Sequence, residues 1–147
     1  GYVNYEFSSF AKPGYECKNN VTYWNRGKYI GFGPSAHSFD GVKRKWNISN
    51  NQKYIEKIKL NSIAYESEIL SETDILNEII MIGLRTSEGL DLDLIESKFS
   101  NLNLEKLRQQ IQLKILDGVL VKTDNKLHPS RDYKFLTDGL ASDLFIT

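Results

Sequence analysis

The sequence predicts an α+β fold in which two short strands precede a mostly helical region that ends in a winged-helix-like module. Apolar and polar residues alternate from Val3 to Ser8, which is the pattern of a half-buried strand. Farther along, the apolar residues recur at helical spacing. Three of these helical patterns are followed by a hairpin pattern, which is the element order of a winged-helix domain. We therefore predict a strand region over 1–48 and a helical region over 49–147, with the winged-helix-like part at about 72–147.

The strand region is predicted to contain two strands joined by a long ordered loop. The first strand ends before Pro13 and Gly14, and the second covers Lys28–Phe32, where it runs into a glycine turn. Two strands alone rarely form a stable sheet, so we expect their partners to lie elsewhere. Because Met81 is the only methionine and the chain opens almost directly on a strand pattern, we expect a part excised from a longer protein.

The first half of the helical region contains two helix patterns separated by a polar connector at about 61–67. The first helix begins near Asn50, and the second begins at Ser71, where Asp74 stands at the spacing of a capping box. Each pattern places its apolar residues on one face. These residues are Tyr54, Ile55 and Ile58 in the first helix, and Ile75, Leu76, Ile79, Ile80 and Gly83 in the second.

The second half predicts three further helices and a hairpin from local capping and turn signals. Asp91 and Asn103 stand where they can cap two amphipathic helices. Gly118 stands at the position that commonly ends a helix. The segment Thr123–Lys126 contains Asp and Asn, which tolerate the positive φ of a tight hairpin turn. Thr137 is predicted to cap the last helix.

Composition describes a globular protein with no bias toward disorder. The chain has 147 residues, 40% of them hydrophobic, and a formal net charge of zero. That length is enough to bury one core. No apolar run approaches the roughly 18 residues needed to span a membrane, so no transmembrane segment is expected. Cys17 is the only cysteine and cannot form an internal disulfide, so we expect a cytoplasmic, reducing setting.

The distribution of charge does not favour nucleic-acid binding. Residues 1–50 hold seven Lys and Arg against three Asp and Glu, whereas the rest holds twelve against sixteen. In the third predicted helix of the winged-helix-like part, Lys106, Arg108 and Lys114 are opposed by Glu105 and Asp117. A DNA-reading helix usually carries more positive charge. A winged-helix module that binds nucleic acid or another protein is therefore the alternative hypothesis.

The stretch "NNVTYWNRGKYIGFGPSAHSF" concentrates rings, glycines and a histidine beyond what a core needs. Gly31 and Gly33 permit close backbone approach, but Ala36 stands where a nucleotide-binding loop has its last glycine, and Pro34 lacks an amide donor. The glycines are thus interpreted as either a strand-ending turn or part of a ligand loop. His37 is a candidate acid, base or ligand. No group of His, Cys, Asp and Glu has metal-site spacing, so no metal-binding residue is predicted.

Four segments, taken together and in order, resemble a known family. "YEFSSFAKPGYECKNNVTYW", "YIGFGPSAHSF", "MIGLRTSEGLDL" and "FLTDGLASDLF" resemble the C-terminal half of the oxygen-independent coproporphyrinogen III oxidase-like proteins. These belong to the radical S-adenosylmethionine (SAM) group, and the resemblance is closest to their haem-chaperone branch. It implies a longer protein of porphyrin or haem metabolism, an oxidoreductase or a haem chaperone; the residues of this chain do not separate these two activities.

The resemblance also implies an architecture. Residues 1–48 would be the last strands and loops of an incomplete TIM-like radical SAM barrel, and 49–147 would be a helical cap. The missing N-terminal barrel would bind a [4Fe–4S] cluster through a Cys-x-x-x-Cys-x-x-Cys motif, together with SAM. Cys17 alone cannot supply the thiolates of such a cluster. We therefore expect this chain to bind no cofactor by itself, to contain no catalytic residue and to be inactive alone.

The same resemblance implies a site for porphyrin or haem. The haem-chaperone branch carries a His-Asn-x-x-Tyr-Trp motif, in which Asn19 here replaces the histidine. Tyr23 and Trp24 would stack on a porphyrin, or alternatively pack the barrel wall against the cap, and His37 would lie near substrate and a second SAM. The predicted ligand-binding residues are therefore Tyr23, Trp24, Gly31, Gly33, Ala36 and His37. The expected partners are porphyrin or haem, the missing barrel, and a second copy paired through exposed strand edges.

Overall fold

The computed structural model describes residues 1–147 and contains six α-helices, eight short strands and one 3-10 helix. In chain order they are β1 (Val3–Glu6), β2 (Ser9–Ala11), α1 (Lys18–Trp24), β3 (His37–Phe39), β4 (Lys43–Asn47), α2 (Asn51–Lys59), β5 (Tyr65–Ile69), α3 (Glu72–Arg85), β6 (Leu90–Asp91), α4 (Leu92–Lys98), α5 (Glu105–Leu116), β7 (Leu120–Thr123), β8 (Lys126–Pro129), the 3-10 helix Arg131–Leu136, and α6 (Thr137–Asp143). This mixture of helices and small sheets confirms the predicted α+β class.

The chain forms two compact units that are not contiguous halves of the sequence. Residues 18–70 form one unit, and residues 1–17 together with 71–147 form the other. We call them the inserted unit and the outer unit. The predicted division at residue 48, between barrel and cap, stays a prediction.

All strand pairs within the three sheets are antiparallel, and no closed barrel is present. In the outer unit β1 pairs with β2, and Ser87 donates both its amide and its hydroxyl to the carbonyl of Tyr5, at 3.1 Å each. In the inserted unit the strand order is β3-β4-β5. That these strands belong to the barrel of a longer protein stays a prediction.

Three details predicted for the first fifty residues are wrong. The predicted first strand, which begins at Val3 and ends before Pro13, is a hairpin of the two strands β1 and β2. The predicted strand Lys28–Phe32 is reduced to one bridge, in which Tyr29 and Phe39 exchange amide hydrogen bonds of 2.9 Å. The glycines and Pro34 that follow turn the chain before more pairs can form. The predicted long loop contains α1, whose seven residues include no buried side chain and so carry no apolar stripe that would reveal a helix.

The winged-helix-like part has the predicted element order. Helices α3, α4 and α5 are followed by the hairpin β7–β8, and the short strand β6 between α3 and α4 pairs with β8 to give the sheet β6-β8-β7. The predicted two-residue turn at Asp124 and Asn125 is confirmed, with Asp124 at φ 51°. Fourteen buried apolar side chains form one core cluster in this unit. Leu76, Ile80 and Leu127 are completely buried there.

Three predicted helix starts are confirmed and two are corrected. Helix α2 begins directly after Asn50, as predicted. Ser71 and Asp74 form a reciprocal capping box, and Asp91 accepts the amide of Leu94 at 2.9 Å. Asn103, in contrast, lies one residue before the N-cap of α5, although its side chain accepts the Glu105 amide at 3.1 Å. Thr137 does not cap α6, since its hydroxyl donates backward to the carbonyl of Lys134 at 2.5 Å.

The predicted connector at 61–67 is also corrected, because its second half belongs to β5. That strand is exposed at all five positions, so its sequence lacks the apolar alternation that identifies a half-buried strand.

Candidate functional site

The helix α1 carries the first two predicted ligand residues, Tyr23 and Trp24. The Tyr23 side chain is 43% exposed, whereas Trp24 is half-buried. The Tyr23 ring meets the ring of Tyr29 edge-on, with centroids 4.7 Å apart. Because Tyr29 pairs with Phe39 in β3, this contact joins α1 to the strand that carries His37.

The glycine turn is held by hydrogen bonds that its backbone amides donate. A Cβ at Gly31 would lie 2.2 Å from the carbonyl oxygen of His37, so only glycine fits there. The Gly31 amide donates to Ser38 Oγ at 3.0 Å, and the Ala36 amide donates to the carbonyl of Gly33 at 3.3 Å. These amides are therefore engaged within the turn. The turn brings Gly31, Gly33, Ala36 and His37 together and presents His37 at the start of β3.

A second tryptophan, which the sequence reasoning did not single out, lies beside His37. Trp46 in β4 is the cross-strand partner of His37, and the two rings are 6.4 Å apart with planes inclined by 31°. The indole Nε1 of Trp46 donates to Glu66 in β5 at 3.0 Å. The Asp40-Gly41 pair could have revealed this hairpin, because such dipeptides are typical of strand-connecting turns.

The alternation of the three strands places these rings on one side of the sheet, which we call the aromatic face. At one end of this face Phe39 is buried beneath Tyr29 and the guanidinium of Arg26, which lies 5.4 Å from the Phe39 ring centre. At the other end His37 is exposed. The face comprises Tyr29, His37, Phe39, Arg44, Trp46, Glu66 and Glu68.

Two arginines lie near the Phe39 end of the aromatic face: Arg44 belongs to the face, and Arg26 covers the Phe39 ring from the loop after α1. Arg44 is the cross-strand partner of Phe39 and forms a 3.3 Å ion pair with Glu68. Burial, followed by the positive charge of Arg44, lowers the pKa of Arg26. One guanidinium group thus lies over the Phe39 ring, and the neighbouring strand carries a second one, paired with Glu68.

The donor set of the chain does not fit an iron–sulfur cluster. Cys17 is exposed and is the single cysteine, and no group of three or more His, Cys, Asp or Glu side chains is placed to hold a metal ion. A four-iron cluster normally uses several thiolates. The residues of this chain therefore do not provide its ligands.

In the winged-helix-like part, two of the three cations of α5, the helix that would contact DNA, form ion pairs. In α5, Arg108 donates from Nε and Nη2 to the Glu96 carboxylate at 2.8 and 2.5 Å. Lys114 pairs with Asp143 at 2.7 Å. Cations held by carboxylates offer less attraction to phosphates than the helix sequence alone suggests.

None of the helices combines the length and the apolar character that crossing a membrane would require.

Comparisons with known proteins match this chain to one family of proteins, and the family model includes the segment "MIGLRTSEGLDL". Residues 70–132 match the family model of the HemN C-terminal domain. The chain is 36% identical over 101 residues to the heme chaperone HemW of Bacillus subtilis, covering 67% of this chain and 26% of that protein. It is 30% identical over 126 residues to the heme chaperone HemW of Lactococcus lactis, covering 86% and 33%. The chain therefore spans about a third or less of the length of these curated relatives.

The fold is shared with a solved structure as well. The coproporphyrinogen III oxidase HemN from Escherichia coli, described as a radical SAM enzyme, matches 99% of this chain with a TM-score of 0.76. The sequence identity is 17%, and the match covers 37% of the HemN chain. At this identity the likeness shows a common fold.

Proposed function

Because this chain corresponds to the C-terminal region of a HemN/HemW-like radical SAM protein, we propose that its inserted unit contributes to a haem- or porphyrin-binding site. The aromatic face supports this proposal best: an exposed imidazole stands beside an indole on a sheet surface bordered by further rings. A flat aromatic macrocycle gains from such stacking surfaces.

The residues predicted from the sequence take distinct roles in this proposal. His37 contributes its exposed imidazole to the ring surface beside the Trp46 indole, whose plane is inclined to it by 31°. Tyr23 extends the ring surface from α1 through its contact with Tyr29. Gly31, Gly33 and Ala36 shape the turn that presents His37, and Trp24 lies next to Tyr23 at the end of α1.

Bound haem would supply an iron centre and a flat apolar surface to this site. The rest of the longer protein would supply the [4Fe–4S] cluster and SAM, since Cys17 alone is an insufficient ligand set. In this proposal the chain binds and covers the ligand and is not an independent catalyst. The names of the curated relatives favour haem carriage over porphyrin oxidation, and a cytoplasmic location accords with a single unpaired cysteine.

The proposed partners include the N-terminal remainder of the protein and a second copy of the chain. Strand β5 pairs with β4 on one side only and is exposed along its whole length. Exposed edge strands are common sites of strand addition. Ser67→Pro should lower self-association measured by light scattering, because proline removes an amide donor and disfavours strand pairing. An unchanged mass would count against this edge as the dimer contact.

The test of haem binding is an absorbance titration of the full 147-residue chain with haem. We expect a saturable shift of the haem absorption band, and we expect His37→Ala to weaken the binding by removing part of the ring surface. His128→Ala is the matched control, because it removes the other histidine, which lies in β8. A wild-type chain that causes no saturable shift would refute the proposal.

A DNA mobility-shift assay at a stated salt concentration tests the winged-helix alternative on the same sample. Retardation of DNA without a haem response would favour the alternative instead.

A further inference from the structure

A hydrogen bond holds the side chain of Trp46 in place on the aromatic face. Its indole N–H is held by the carboxylate of Glu66, and its ring plane lies within 31° of the His37 ring plane. A hydrogen bond at the ring edge restricts rotation of the side chain while leaving the ring face available for contact. Trp46 and His37 thus form one continuous ring surface, which reaches the exposed end of the aromatic face.

Two arginines lie near the ring surface formed by Trp46 and His37. Arg44 and Trp46 are two residues apart in β4 and point to the same side, so their Cα atoms are separated by about 7 Å. Arg26 lies against Phe39, the cross-strand partner of Arg44. Guanidinium groups bind carboxylates through paired N–H donors, which makes this end of the face suitable for an anionic substituent.

We propose that the aromatic face is a subsite for a planar aromatic ligand with carboxylate side chains, with the ring against Trp46 and His37 and a carboxylate at Arg26 and Arg44. This inference rests on the proposed haem or porphyrin function and identifies the groups that recognise the ligand. Porphyrins of haem metabolism have both features, a flat macrocycle and carboxylate substituents. The charge of the two arginines complements those carboxylates, and Glu68 is the group that a carboxylate must displace or share at Arg44.

The proposal gives Trp46, and not Trp24, the main ring contact. Trp24 is half-buried on a helix, and its neighbour Tyr23 is the more exposed ring there. Trp46 is the direct partner of His37 across the sheet.

The two tryptophans allow a direct test by nuclear magnetic resonance. The full chain contains two indole N–H groups, and Trp24→Phe and Trp46→Phe assign their signals. Zinc protoporphyrin is the probe, because it is diamagnetic, flat and carries carboxylates. We expect its ring current to shift the Trp46 signal strongly and the Trp24 signal weakly. A strong shift of Trp24 with an unmoved Trp46 overturns the assignment.

The affinities of tryptophan variants for the same probe provide a second test. Trp46→Ala should weaken binding of the probe roughly tenfold, the order expected for one aromatic stacking contact. Trp24→Ala should weaken it less, and thermal unfolding of each variant reports whether the fold survives. If the wild type binds and Trp46→Ala binds equally well, the subsite is wrong while the proposed function stands. If the wild type does not bind the probe, both the subsite and the proposed function are wrong.

The carboxylate contact is tested by changing the ligand and the protein together. Arg26→Gln and Arg44→Gln should each weaken binding of zinc protoporphyrin several-fold, because charge-assisted hydrogen bonds are lost. Neither change should affect binding of the dimethyl ester of the same porphyrin, which has no free carboxylates. Equal losses for acid and ester would show that the arginines act through the fold and not through the carboxylate.

Discussion

The two units differ in how completely they bury their apolar side chains. The outer unit has one core cluster of fourteen buried residues, whereas the inserted unit contributes Phe39, Ala64 and Leu70 to the buried apolar residues. The inserted unit also carries well-exposed apolar side chains such as Phe32, at 87%. A unit with a closed core is stabilised by that core, while one with open apolar surface has area left for ligands or partners. The residues that stabilise the fold and the residues proposed to bind the ligand therefore lie in different parts of the sequence.

Removing a core side chain from the outer unit should have the largest effect on stability. Leu76 is completely buried, so Leu76→Ala should lower the free energy of unfolding by about 2–5 kcal/mol through lost burial and a cavity. Ile55→Ala is the control in the inserted unit, where the side chain is 51% exposed and the expected loss is about 0.5 kcal/mol. Denaturant unfolding measures both, and equal losses would contradict the contrast between the units.

The inserted unit should instead be sensitive to backbone crowding at its turn. Gly31→Ala places a methyl group against the His37 carbonyl and should cost about 1–3 kcal/mol, as overpacking does. In α6 a Cβ added at Gly139 would meet no atom within 4 Å, so Gly139→Ala should stabilise the helix by about 0.5–1 kcal/mol. Opposite signs in thermal unfolding are expected. A neutral Gly31→Ala would show that the turn adjusts, and would remove the reason for glycine there.

Two helix caps test whether the units unfold separately. Ser71 caps α3 in the outer unit, and Asn50 caps α2 in the inserted unit by accepting the Lys53 amide at 2.9 Å. Each change to Ala should cost about 1 kcal/mol. Amide hydrogen exchange should show faster opening of 18–70 alone for Asn50→Ala. Uniform acceleration along the whole chain would mean that the two units unfold as one.

The smallest expected effect is a dependence on pH at the start of α4. The Leu94 amide, followed by the side chain of Lys126, lowers the pKa of Asp91. A carboxylate with a lowered pKa stabilises the fold above its unfolded pKa of about 3.9, and this contribution disappears as the pH falls through the folded value. Asp91→Asn should therefore be less stable than wild type at pH 7 and nearly equal to it at about pH 2. A constant difference at both pH values would exclude this origin.

Features encoded by neighbouring residues could be predicted from the sequence. The Ser71 capping box, the Asp91 cap and the Asp124-Asn125 turn depend on hydrogen bonds and φ angles within a few residues, so short motifs reveal them. The sheet of the inserted unit depends on contacts across the chain. Strand β5 has no apolar alternation and pairs through partners such as Trp46 with Glu66, which are 20 residues apart.

The candidate site likewise contains residues that the sequence reveals and one that depends on contacts across the chain. The segment containing Tyr23, Gly31 and His37 can be singled out because its residue types are unusual together, and the structure places these three residues in α1, in the glycine turn and in β3. Trp46 was missed because the polar strand "KRKWN" looks like a charged loop until its pairing with β3 is known.

The division of the outer unit into residues 1–17 and 71–147 has a consequence for the order of folding during synthesis. The hydroxyl of Ser87 bonds to Tyr5 across a separation of 82 residues. At about 5–20 residues per second, the ribosome needs roughly 4–16 s to make that stretch. The contact between β1 and Ser87 must wait through this interval, whereas 18–70 is contiguous and can fold as soon as it emerges. Nascent chains should therefore acquire the unit that carries the aromatic face before the unit that carries the main core.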